Sequence, residues 1–258
     1  MKYKLTDNTI IVDGKTLHQI QALKDFGNVQ AGDFGNVQAG DLGGWIESEN
    51  NLSQTNNAWV YGNAKVYGNA WVYGDAEVAG NAWVYGNAKV YGDAWVSGNT
   101  SVYGDAEVYG NAAVYGDAEV YGDAKVAQKQ HIRFNRVLND ITDISINLLE
   151  NIEAQTGLKS FNNEIYCYKH VREDLSSLHD PDFKHTVGEY VTVDKFDTDQ
   201  TKSCSSGLHV SNAQYWNSNK GQKILFCRVH IDDILAVQEG KIRCKRLFVI
   251  GVCDGLVF

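Results

Sequence analysis

Valine recurs every six residues from Val60 to Val126, twelve times without a miss. Each of the first eleven is followed two positions later by Gly, then by Asn or Asp, then by Ala, with Thr replacing Ala once. Six is a multiple of the strand period of two and not of the helical 3.6, so each hexad is read as a short strand and a corner. Gly with Asn or Asp tolerates the left-handed backbone a sharp corner needs. The valine and the alanine four positions later, Val60 with Ala64 or Val66 with Ala70, are small enough to fill a narrow shaft.

This hexad resembles the hexapeptide repeat of left-handed β-helix proteins, in which an aliphatic residue and a small residue four positions on both point inward. The resemblance implies three hexads per triangular coil, hence four coils and about 20 Å of solenoid at ordinary inter-strand spacing. It specifies a fold and not an activity, because that family includes acyltransferases, carbonic anhydrases and non-enzymatic proteins. The residues flanking each valine point outward. Folded at this pitch, they form columns: Tyr67, Tyr85, Tyr103 and Tyr121 on one face, Tyr73, Tyr91 and Tyr109 on the next, and Tyr61, Ala79, Ser97 and Tyr115 on the third. Trp59, Trp71, Trp83 and Trp95 stand on the other side of the valines. Stacked aromatics stabilise a β surface by themselves. So much outward aromatic area is also the mark of an interface, and solenoids of this family commonly form trimers, so a homotrimer is expected.

Outside the coils the pattern changes twice. Before them, KYKLTDNTIIVDGKTLHQIQAL alternates as a hairpin does, with Asp13 and Gly14 as its turn. A tandem copy, FGNVQAGD, follows over residues 26–41 and is read as replication slippage in a tolerant surface segment. Residues 43–46 and 51–53 begin the solenoid irregularly, as terminal repeats do. After Val126, Phe134, Val137, Ile141, Ile144, Leu148 and Ile152 fall three or more residues apart, which predicts a helix from Gln130 to Thr156 stopped by Gly157. Such a seam either covers a solenoid flank or forms a coiled coil between subunits. Beyond it, apolar runs predict strands at Glu164–Tyr168, Tyr190–Val193, Lys223–His230 and Leu247–Cys253. The expected organisation is therefore mainly β: a strand-rich cap (1–45), a left-handed parallel β-helix (46–126), a helix (127–158) and a small α+β domain (159–258).

Composition narrows the chemistry. The net charge is -9 and the basic residues form no run, which disfavours nucleic acid and anionic membranes as partners. No stretch suits a signal peptide or a membrane span, so a cytoplasmic location is expected. The five cysteines, Cys167, Cys204, Cys227, Cys244 and Cys253, show no CxxC pairing and are read as free thiols. No histidine occurs between His18 and His131, which leaves the coils without the general base of an acyltransferase or the three zinc ligands of a carbonic anhydrase.

The densest polar cluster is SCSSGLHV at 203–210. Together with LGGWIESENNLS and the YGNA/YGDA repeats, it makes the chain similar to a group of bacteriophage proteins that join a hexapeptide solenoid to a domain with a Cys-x-x-Gly-Leu-His motif. Cys204 and His209 lack an identifiable third group for a catalytic triad. GLHVSNAQYW followed by KILFCRVHIDDI also resembles a stretch of ADP-ribosyltransferases of the poly-ADP-ribose polymerase kind. That resemblance implies a stacking position for His209, but the expected catalytic Glu is missing near 246–249. His179, Asp180 and His185 read as a solvated loop, and no metal or cofactor is expected.

Three classes of function remain. The first is a non-enzymatic binding protein that captures a nucleotide-like signalling molecule, or a host defence protein, in the host cytoplasm. The second is an enzyme acting on NAD or an ADP-ribosyl compound, and the third is a structural scaffold. Candidate ligand-binding residues are Ser205, Ser206, His209, Asn212 and Tyr215. Candidate interface residues are Tyr67, Tyr85, Tyr103, Tyr73, Tyr91, Trp59, Trp71, Trp83 and Trp95.

Overall fold

A computed structural model describes residues 1–27, 36–127, 130–133, 136–137, 141, 144–200, 202, 204–215 and 222–253. It divides into two units, Met1–Thr142 and Asp143–Phe258, and is mainly β with one short helix.

The first unit is a parallel β-solenoid of about five turns. Two-residue strands from Trp59–Val60 to Arg136–Val137 bond to the strands three places before or after them, giving three sheets in which the coil strands run parallel. The register of eighteen residues stacks Val60 on Val78 and Val96 on Val114. Every valine of the period from Val60 to Val126 is 0% exposed, so the shaft is a continuous aliphatic column. The corner glycines from Gly62 to Gly122 take φ between 57 and 80, the left-handed region. Glycine is needed there for space as well: a Cβ on Gly98 would lie 2.6 Å from the Gly116 carbonyl oxygen of the next coil. Beside the glycines, side-chain amides climb the corners. Asn69 donates to Asn87 at 3.0 Å and Asn87 to Asp105 at 2.9 Å, while Asn81 donates to Asn99 at 3.1 Å and Asn99 to Asp117 at 3.0 Å.

One end of the shaft is closed by the N-terminal hairpin. Tyr3–Val12 and Lys15–Ala22 pair antiparallel around Asp13 and Gly14, both at positive φ as a two-residue turn requires. Leu42–Ile46 joins this hairpin on one side and Lys65–Val66 of the coils on the other. The cap is tied down at its start, where Lys2 Nζ donates to Ala58 O at 2.7 Å and Tyr3 OH to Leu52 O at 2.7 Å. Of the duplicated segment, residues 28–35 lie outside the described residues.

The helix predicted from Gln130 is shorter than the sequence pattern suggests. His131–Ile132 and Arg136–Val137 are two further solenoid strands, with Ile132 stacked on Val114 and Val137 on Val120. The hexad pitch continues through Ile132, but the Gly and Asn of the corners are gone, so the apolar spacing alone reads as helical. Ile132, Val137 and Ile141 are 0% exposed in this unit and cannot form a coiled-coil seam; Phe134 lies outside the described residues. The helix runs Ile144–Thr156, is kinked at Asn147, and ends at Gly157 with φ 71.

In the second unit a five-stranded antiparallel sheet contains Ser160–Phe161, Glu164–Arg172, Tyr190–Thr192, Gln222–His230 and Arg246–Cys253. A three-stranded antiparallel sheet of Leu208–Val210, Ile234–Gln238 and Lys241–Cys244 joins it through Tyr168 and Ser211, which exchange backbone hydrogen bonds. Ile152 of the helix packs with Ile165, Cys167, Leu225, Cys227, Ile242 and Cys244 in the core between these elements.

Candidate functional site

The outward aromatics of the coils divide into covered and open ones. Trp59 is 1% exposed, packed edge-on against Tyr3 at 6.0 Å and Phe26 at 5.2 Å. Tyr67 is 4% exposed and its hydroxyl donates to Asp13 at 2.8 Å. Both are therefore withdrawn from any outer surface, because the hairpin that closes the shaft lies over them. The other tyrosines form the expected ladders, with ring centroids 4.9 Å apart for Tyr85 and Tyr103 and 4.8 Å for Tyr73 and Tyr91, at interplanar angles of 7° and 5°. Trp71 is 43% exposed, and Trp83 and Trp95 are half-buried. These columns are stacks of near-parallel rings.

The second unit does contain a cavity, of about 610 Å³, and four of the five predicted ligand residues line it: Ser205, Ser206, His209 and Tyr215. Lys169, His170, His179, Asp180, Phe183, Cys204 and Lys241 complete most of its wall. The Cys-x-x-Gly-Leu-His motif is explained by this geometry. Gly207 is at φ 144, where a Cβ would meet Arg243 Cγ at 2.8 Å, so only glycine lets the arginine stem pass. Leu208 and Val210 enter the core, and strand alternation turns His209 to the other side. Arg243, 2% exposed, reaches back to the carbonyl oxygens of Lys202, at 2.7 Å, and of Asp199, and so braces the loop that carries Cys204 to Ser206.

Two of the predicted residues have structural duties. Ser205 Oγ donates to Asp197 at 2.6 Å, a bond that, with those from the Asp199 backbone and Lys202, holds the Asp197 carboxyl down at about 2. Asn212 does not line the cavity. Its side chain donates to Thr156 O at 2.7 Å and accepts from Tyr215 N at 2.8 Å, closing the end of the helix and positioning the tyrosine. Ser203 lies outside the described residues.

The electrostatics are set by burial. Burial pushes the His209 imidazole down to about 4, helped by the charges of Lys169, Lys241 and Arg243, so the ring is neutral at ordinary pH. Its Nε2 is buried and has no hydrogen-bond partner among the described residues. Lys241 behaves oppositely: burial opposes its charge, but the bond to Cys204 Sγ at 3.1 Å and the nearby Tyr215 and Glu239 outweigh it and raise its pKa. Lys169 and His170 were not anticipated. A signal was present, since Ile165, Cys167, Lys169 and Val171 alternate on one strand and put a lysine on the inward face. Among the described residues no group of three or more His, Cys, Asp or Glu side chains is arranged to hold a metal ion, and no helix is long and apolar enough to cross a membrane.

Residues 58–74 match the family model of the YdcK beta solenoid repeat. No curated protein matches the chain. The chain is a β-solenoid repeat protein. The match is confined to the first coil or so and carries no activity to the second unit.

Proposed function

We propose that this is a non-enzymatic capture protein whose C-terminal unit binds a small anionic, nucleotide-like molecule. The observation that carries the reading is the make-up of the cavity wall: Lys241, whose charge its neighbours favour, stands with Phe183 and Tyr215 as ring surfaces and Ser206 and His209 as hydrogen-bonding groups, and Asp180 is the single acidic residue among the described lining residues. A pocket of this size, apolar in body with a few convergent polar groups, suits a ligand of nucleotide dimensions. The coils are proposed to be left-handed, on the strength of the hexad, and to gather three chains through the open Trp71 face. The resemblance of the sequence to phage proteins supports the host cytoplasm as the proposed place of action and a defence signal as the proposed class of target.

The test is native mass spectrometry and calorimetry of the full chain with a panel of mono- and dinucleotides, including NAD and ADP-ribose. Binding is expected, with the recovered ligand chemically unchanged, and Tyr215→Ala and Lys241→Ala are each expected to weaken it about tenfold or more, as loss of one stacking or ionic contact does. Consumption of NAD or an ADP-ribosyl compound, abolished by His209→Ala, would replace this reading by the enzymatic one.

A further inference from the structure

Lys169 is the one group in the cavity wall whose chemistry simple capture does not need. It is 8% exposed, and its Nζ donates to His209 O at 3.2 Å. Among the described residues no carboxylate pairs with it. Its neighbours are thiols, Cys167 on its own strand, Cys227 on the adjacent strand and Cys244 on the smaller sheet, together with the imidazoles of His170, His185 and His209. Burial holds all three thiols above their ordinary range, and their pull on the ammonium is smaller than the cost of burying it. An ammonium largely withdrawn from water, with one carbonyl acceptor and no carboxylate partner among the described residues, is costly, and losing its proton relieves the cost. Burial accordingly lowers the Lys169 pKa, although the three cysteines act the other way. The cavity thus holds two unlike amines: Lys241, whose charge its neighbours favour, and Lys169, whose burial favours release of its proton.

We propose that Lys169 is a carbonyl-capture site, whose Nζ condenses with the aldehyde or ketone carbon of a small anionic ligand seated in the cavity. This rests on the capture reading above and adds the substrate class. The nitrogen lone pair forms the new C–N bond while the carbonyl π pair moves to oxygen. Both amine hydrogens then leave with that oxygen as water, and the C=N bond of the imine remains. No oxidant or reductant takes part, and addition of water reverses the step. Lys241 supplies the cation for the ligand's anionic group, and the neutral His209 ring can carry the proton between nitrogen and oxygen.

The probe is pyridoxal 5′-phosphate, which joins a flat ring, an aldehyde and a phosphate. The full chain is mixed with an equimolar amount near neutral pH, reduced with borohydride, digested and mapped by mass. The expected result is one adduct per chain, on Lys169, in excess of that on any exposed lysine, since a lowered pKa raises the unprotonated fraction and the cavity holds the aldehyde beside it. Lys169→Met, uncharged and of similar length, should remove that adduct while leaving the unfolding midpoint within error or raising it. An adduct spread over exposed lysines such as Lys159, with Lys169 bare, overturns the proposal. Pyridoxine 5′-phosphate, the alcohol, separates the two readings: if it binds and the aldehyde still gives no Lys169 adduct, only the imine is lost, and if neither compound binds and no nucleotide does, the capture reading falls with it.

Discussion

Replacing a corner glycine by alanine measures how tightly the coils are stacked, and two glycines make the measurement internally controlled. Gly62 and Gly98 have positive φ, 57 and 80, so alanine at either suffers the left-handed penalty of about 1–2 kcal/mol, offset by about 0.4–1 kcal/mol from the stiffer unfolded chain. At Gly62 a new Cβ meets nothing nearer than Gly80 O at 3.9 Å, an ordinary contact. At Gly98 it meets Gly116 O at 2.6 Å and Gly116 N at 2.9 Å, both backbone atoms. Reaching ordinary contact requires the coils to part locally by about 0.8 Å, and a gap of that size forfeits up to half the dispersion energy of the atoms it separates. It also stretches the bonds from Ser97 N to Val114 O and from Asn99 N to Gly116 O, both 2.8 Å now. Overpacking of this kind costs about 1–3 kcal/mol. Gly98→Ala is therefore expected to lose about 2–4 kcal/mol and Gly62→Ala about 1. Urea unfolding followed by tryptophan fluorescence reads the difference, because Trp45, Trp59, Trp71, Trp83 and Trp95 all belong to the first unit. Equal losses at the two sites would refute the claim that glycine is required by the neighbouring coil as well as by its own backbone angle.

Three further outcomes follow from the same reasoning. Val96→Asp places a carboxylate in the aliphatic shaft and should cost several kcal/mol, whereas Lys89→Asp, on the outer surface, should cost less than about 1; similar thermal shifts would reverse the inward and outward assignment. His185 is 1% exposed and pushed by burial to about 4, so below about pH 6.5 the unfolded chain binds a proton the folded one refuses. Stability of the second unit should hold above that pH and fall by on the order of 3 kcal/mol as the pH drops through 4, and His185→Gln should flatten the fall in urea midpoints measured from pH 7 to 4.5. Light scattering at micromolar concentration should give three times the chain mass, and Trp71→Asp should reduce it; a monomeric wild-type chain would remove the trimer.

The solenoid was legible because its constraint is local and repeated: an inward valine, a left-handed glycine and a small partner say the same thing at each corner. The Tyr ladders were legible for the same reason, needing only the pitch of the coil. The burial of Trp59 and Tyr67 was not, because it depends on where a hairpin more than forty residues upstream comes to rest. The start of the helix was misplaced because apolar residues three to four apart also satisfy a coil that has lost its corner glycines. In the second unit the cavity residues Ser206, His209 and Tyr215 were found as a polar cluster around a glycine. The roles of Ser205 and Asn212 were hidden, since Asp197 and Thr156 become their partners only after folding. The short strands Ile234–Gln238 and Lys241–Cys244 were missed although Glu239 and Gly240, both at positive φ, mark the hairpin turn between them.

The stacking register also governs how this chain can change in length. An insertion or deletion of eighteen residues returns every valine to the shaft and every tyrosine to its own column, so the rod grows or shrinks by one storey with its faces unchanged. A change of six keeps the valines inside but advances each outer residue to the next face, so that the columns of tryptophan, lysine and glutamate and the ladders of tyrosine and asparagine no longer continue on their own walls. Any length that is not a multiple of six turns the shaft outward. Near-identical repeats are prone to unequal exchange, yet only one exchange in three among whole hexads leaves all three walls intact. The eight-residue duplication at 26–41, indivisible by six, falls before the first coil, where such a length change leaves the register of the coils untouched.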